Sequence, residues 1–101
     1  MISPTYQFMA DFTLPTQLPE EFVELLPFQR AVVDRYLSEG ALINYALSLE
    51  NAKLWAVFNA NSEMEVLEML ADFPLTPFME VEVNQLTSFN TAEDTPSFSL
   101  N

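Results

Sequence analysis

The sequence predicts an α+β domain: a four-stranded antiparallel sheet with two helices on one of its faces, in the order β-α-β-β-α-β. Three observations predict it. Apolar and polar residues alternate at Tyr6–Thr13 and again from Met79 to Val83, the period of strands. Two amphipathic stretches carry helix start and stop signals. Between Asp72 and Val83 (DFPLTPFMEVEV) a helix runs out through Pro74 and Pro77 into an alternating strand.

The first strand sets Tyr6, Phe8, Ala10 and Phe12 against Gln7, Met9, Asp11 and Thr13, and ends at Leu14-Pro15. Pro19 suits the first turn of the helix that follows, because a missing N–H is tolerated there. Phe22, Leu26, Val33 and Leu37 form its apolar stripe, and Gly40 caps its C-terminus. Pro27 lies inside this stretch and kinks the helix or splits it into a short turn followed by Phe28 to Glu39, since its ring excludes the carbonyl four residues back. Ala41–Leu49 and Lys53–Asn59 read as two strands of a hairpin around Glu50-Asn51-Ala52, apolar enough on both faces to be covered. Ser62 followed by Glu65 is a capping box, opening a helix with Val66, Leu67, Leu70 and Phe73 inward and Glu65, Glu68 and Asp72 outward. The two prolines stop that helix, and Met79, Val81 and Val83 alternate with Glu80, Glu82 and Asn84 in the last strand. The order is the split βαβ, or ferredoxin-like, arrangement.

The 101 residues support one domain with one modest core. The reading is a folded unit over residues 1–86 and an irregular tail over 87–101, rich in Thr, Ser, Asn, Glu and Pro, whose Phe89, Phe98 and Leu100 can dock on a neighbouring subunit. Half of the residues are apolar, which argues against disorder. Three cations (Arg30, Arg35, Lys53) against fifteen acids give a net charge of −12. Such a surface repels phosphate backbones and anionic headgroups, so neither nucleic acid nor membrane is an expected partner. With no Cys and no His, disulfides are impossible and a structural zinc site is excluded. No basic leader or membrane-length apolar run is visible, and the cytoplasm is the expected location.

The Asp72–Val83 stretch resembles the end of the muconolactone delta-isomerases, in which the last helix leads through a Pro-Leu-x-Pro-aromatic type of connection into a Met-acid-apolar-acid-Val strand. The resemblance extends more weakly from about Tyr6 to Leu86: a strand ending in Leu-Pro (Leu14, Pro15), a helix ending in Glu-Gly (Glu39, Gly40), and Val-Phe (Val57, Phe58) closing the third strand. It implies a dimeric α/β barrel, assembled face to face through the sheets, or larger rings of such dimers. Tyr6, Phe8, Phe12, Tyr45, Leu47 and Trp55 offer more large apolar groups than one sheet face needs. The bare face is therefore expected to be too apolar for water and to be covered by a second copy, unless the chain's own tail folds over it.

Isomerising a lactone such as muconolactone needs a general base and a cation or donors for the developing enolate. Where the resemblance places the family's helix-one acid and lysine, this sequence has Gln29 and Arg30. Where the family's second strand is rich in Arg, His and Trp, it reads Ala41-Leu42-Ile43-Asn44-Tyr45-Ala46-Leu47. The expected function is accordingly that of a family protein binding a small neutral or apolar metabolite without the usual acid and cations. The alternative is an active, cofactor-free isomerase of a lactone or aromatic-catabolic intermediate, with Glu39 or Asp11 or a tyrosine taking the proton.

Each candidate has a plainer role beside the functional one. Arg30 can grip an anion or pair with a nearby acid. Arg35 pairs most simply with Glu39, and Glu39 itself can be no more than a last-turn residue. Asn44 is disfavoured in mid-strand, which marks it as a pocket residue or a satisfied core amide. Gln29, Phe28, Tyr6, Tyr45 and Trp55 can line an aromatic ligand pocket or serve as core and interface. Asp11 can be a carboxyl of raised pKa or face water at a strand end. Glu63, Glu65, Glu68 and Asp72 read as a solvated face, and no calcium loop is present.

Overall fold

The computed structural model describes residues 6–90. They run as β1 (Tyr6–Thr13), α1 (Glu20–Glu24), α2 (Leu26–Glu39), β2 (Leu42–Ser48), β3 (Lys53–Ala60), α3 (Glu63–Leu70), a 3-10 turn (Thr76–Phe78) and β4 (Glu80–Leu86). The four strands form one antiparallel sheet in the order β2-β3-β1-β4, which is the ferredoxin-like topology. Of the residues assigned to the tail, Phe98 and Leu100 lie outside the described residues.

Local chemistry accounts for the helix boundaries. The helical stretch breaks at Leu25, and Pro27 falls in the first turn of α2, where its missing N–H removes no intrahelical bond. The proline thus splits the helix, and the second piece begins at Leu26 rather than at Phe28. Gly40 ends α2 at φ 81°, a left-handed conformation in which a Cβ is strained. Ser62 Oγ accepts from the Glu65 N–H at 3.2 Å, as the capping box requires, and the Glu65 carboxylate accepts from the Asn61 N–H.

Between the sheet and the helices lies the core. Phe8, Ala10 and Phe12 of β1 pair with Phe58, Ala56 and Leu54 of β3, and all six are buried with Phe22, Val33, Tyr36, Val66, Leu70 and Phe73. Each such large side chain withdrawn from water contributes about 1.5–3 kcal/mol. Two apolar stripes differ from the expected ones. In α2 the buried residues are Gln29, Val33 and Tyr36, whereas Leu26 and Leu37 are exposed; in α3 Leu67 is exposed. The split at Leu25 gives α2 an orientation of its own, so the phase of Phe22 does not carry through it.

The sheet faces also need correction. Phe8, Phe12, Tyr45 and Leu47 all lie on the helix-covered side, and of the six large groups expected to overload the bare face only Trp55 is on it. The cause in β2 is a bulge between Leu42 and Asn44. An extra residue in one strand inverts the alternation beyond it, so Leu42, Tyr45 and Leu47 share the helix side while Asn44, Ala46 and Ser48 turn outward. The bare face therefore has Trp55 and Val57 of β3 and Met9 and Asp11 of β1 at its centre, with Asn44, Ala46 and Ser48 along the β2 edge, Glu80, Glu82, Asn84 and Leu86 along the β4 edge, and Lys53, Thr13, Asn59 and Gln7 at the two ends.

Candidate functional site

A cavity of about 220 Å³ opens between the helix layer and the β2–β3 hairpin. Its walls are leucines and other apolar groups from the loop after β1, α1, α2, β2, β3 and the connection after α3, among them Leu14, Phe22, Leu26 and Leu54, and among the described residues no acidic or basic side chain lines it. Two polar side chains do: Gln29 and Tyr45. Gln29 comes from the inward face of α2, with Val33 and Tyr36 at four and seven residues along, and is 4% exposed. The β2 bulge brings Tyr45 to the same side of the sheet.

A hydrogen-bonded chain fixes this polar pair. The backbone N–H of Leu75, in the connection after Pro74, donates to Gln29 Oε1 at 3.2 Å, and Gln29 Nε2 donates to the Tyr45 hydroxyl at 3.2 Å. A buried amide with neither partner would cost about 1–3 kcal/mol. The connection thus positions Gln29 while Gln29 satisfies the connection.

A second depression, about 270 Å³ and open to solvent, lies where β1, β3 and β4 meet near their ends on the bare face. Asp11, Thr13, Lys53, Glu80 and Glu82 line it. Lys53 Nζ forms an ion pair with Asp11 Oδ1 and donates to Thr13 Oγ1 at 3.1 Å. Asp11 Oδ1 is itself buried and accepts no hydrogen bond of ordinary geometry; the ammonium pressed against it compensates its charge. Three carboxylates surround this one cation, so the depression suits no further anion.

A third cluster ties α2 to the end of α3. The Tyr36 hydroxyl donates to Asp72 Oδ2, Arg35 Nη2 lies 3.6 Å from the same oxygen, and the Arg35 guanidinium sits 4.9 Å from the Tyr36 ring centre. Phe73 stacks on the ring with centres 5.6 Å apart. Burial raises the Tyr36 pKa above its ordinary value, and the bond to Asp72 raises it further against the lowering influence of Arg35.

Of the residues singled out in the sequence, Gln29 and Tyr45 are brought together and the others are dispersed. Phe28 is 63% exposed on α2. Arg30 is exposed and pairs with Asp34 one turn on, at 3.5 Å. Glu39 is exposed at the end of α2, and Asn44 is exposed on the bare face. Tyr6 is exposed at the start of β1, and Trp55 and Asp11 lie opposite each other on the two inner strands of the bare face. Arg35 pairs with Asp72 and not with Glu39, because Tyr36 and Phe73 draw the two helix ends together; Asp72 is accordingly more than part of a solvated row. Sequence reasoning missed Tyr36, Lys53 and the Leu75 N–H. The spacing Gln29–Val33–Tyr36 carried a signal for the first, whereas no local pattern announces the other two.

A four-stranded antiparallel sheet with its helices on one side defines a ferredoxin-like α+β domain, and the apolar pocket between the two layers opens to solvent past Leu18, Leu26, Leu47 and Leu49. Over residues 5–92 the sequence matches the family model of muconolactone delta-isomerase, and the chain belongs to that family. A crystal structure of muconolactone isomerase has the same fold, with a TM-score of 0.67 at 23% identity over 84% of this chain and 96% of that one. A dimeric ferredoxin-like protein from an uncultured marine organism is a looser likeness, with a TM-score of 0.45 at 20% identity over 87% of this chain and 94% of that one. No curated protein matches the sequence.

Proposed function

We propose that this family member binds a small, neutral, largely apolar metabolite in the cavity beneath α2, with Gln29 and Tyr45 as its polar contacts. The observation that carries the reading is that, among the described residues, no charged side chain lines the cavity wall: a carboxylate entering there would lose hydration with no cation to replace it. The resemblance places Gln29 where the family has an acid, and an amide cannot take a proton at neutral pH. Neither acid considered as a base reaches the cavity: Asp11 is paired with Lys53 on the other side of the sheet, and Glu39 is exposed at the far end of α2.

Calorimetric titration tests this reading. A neutral single-ring compound such as toluene should bind, while benzoate and muconolactone should not, and muconolactone should not be converted to its enol-lactone. Turnover of muconolactone at an ordinary enzymatic rate, on the order of 10 s⁻¹, would contradict the proposal and restore Asp11 or Glu39 as a proton acceptor.

The same proposal includes a homodimer formed through the bare sheet faces. Its support is the adjoining apolar group of Met9, Trp55, Val57 and Ala46 on a face that no helix covers, where the one central carboxylate, Asp11, is already compensated by Lys53.

A further inference from the structure

Resting on the cavity as the binding site, we infer that its ligand carries a hydrogen-bond acceptor, a carbonyl oxygen on an apolar body, and that the Tyr45 hydroxyl is the donor that selects it. The inference follows from the direction of the hydrogen-bonded chain. A backbone N–H can only donate, so Leu75 fixes the oxygen of the Gln29 amide toward itself. The nitrogen of that amide must then face Tyr45, and an amide N–H can only donate. The Tyr45 oxygen is thereby an acceptor in its bond to Gln29, and its own proton is left over. Among the described residues no protein acceptor takes that proton, and the side chain lines the cavity.

The direction is therefore set by the main-chain N–H of Leu75 and passed on through two side chains. Each bond in such a chain polarises the next, so the last donor is the stronger for it. A tyrosine free to turn would accept or donate as a ligand required; here one lone pair is occupied and the proton is offered. An apolar compound without an acceptor fills the space but leaves the hydroxyl unsatisfied. A compound with only a donor competes with Gln29 for the same oxygen. Size narrows the class further: at roughly 30 Å³ per water in the liquid, a cavity of about 220 Å³ equals about seven waters, room for one substituted ring. A neutral monocyclic ketone fits both demands.

The test compares acetophenone with α-methylstyrene, in which a methylene replaces the carbonyl oxygen at nearly constant shape. Binding to the whole protein is measured by calorimetry, and the carbonyl stretch of bound ¹³C-labelled acetophenone by infrared difference spectroscopy. The expected result is a preference for the ketone of about three- to tenfold, the worth of one neutral hydrogen bond, with the stretch shifted below its position in an alkane solvent. Tyr45→Phe should remove both the preference and the shift, with α-methylstyrene still binding and no more weakly than before, because no hydroxyl is then left unsatisfied. If both compounds bind equally and the stretch keeps its alkane-solvent position, the donor assignment is wrong and the cavity reading stands. If neither compound binds, the cavity reading fails and this inference with it.

Discussion

Gln29 and Tyr36, seven residues apart on one face of α2, show how a single polar atom under the helix layer is managed. Gln29 bridges a main-chain donor and a phenol, whereas Tyr36 gives its proton to Asp72 beneath the stacked ring of Phe73. The Tyr36 pKa is raised, first by desolvation and then by Asp72. The neutral phenol is thus favoured more in the folded chain than in the unfolded one. The stability this lends is fully present below the unfolded value near 10.0 and is lost as pH rises through the higher folded value. Thermal melts between about pH 9 and 11.5 should therefore fall more steeply for the native protein than for Tyr36→Phe; parallel curves would contradict the assignment. The sequence showed Tyr36 only as a helical tyrosine. Its acceptor lies 36 positions away, and contacts of that separation leave no mark on local periodicity.

At the level of elements, the caps were legible and the phases were not. Gly40 and the Ser62–Glu65 box announce helix ends because their chemistry is local: one supplies a left-handed backbone, the other a side-chain acceptor for a free N–H. The bulge at Leu42–Asn44 obeys no such rule, and it decides which side of the sheet receives Tyr45. Without it the polar end of the cavity would lack its hydroxyl, and the bare face would hold the aromatic surface that the alternation of β2 suggested. Gly40 offers a clean measure of one local term, since a Cβ added there would meet no atom within 4 Å. Gly40→Ala should therefore destabilise through backbone strain alone, by about 1–2 kcal/mol, with the cavity unchanged. Chemical denaturation measures the loss, and a neutral outcome would show that the chain leaves α2 by another route.

On the scale of the whole molecule, the ferredoxin-like order and the family were readable from Asp72–Val83 and the strand alternation, while the division of labour between the two sheet faces was not. The helix side holds the uncharged cavity, and the bare side holds the Asp11–Lys53 pair and a small apolar group. Sedimentation at micromolar concentration should show twice the 11.5 kDa mass of one chain, and Trp55→Glu, which puts a charge at the centre of the bare face, should return it to one; a native protein sedimenting as a single chain would refute assembly through this face. The central claim, that the cavity beneath α2 is the binding site, is tested most directly by methyl-resolved NMR during titration with toluene. The account predicts saturable shifts of the Leu14, Leu54 and Leu75 methyls, which border the cavity, with the Met9 and Val57 methyls on the opposite face of the sheet unmoved. Shifts confined to Met9 and Val57, or none at any of these methyls, would contradict it.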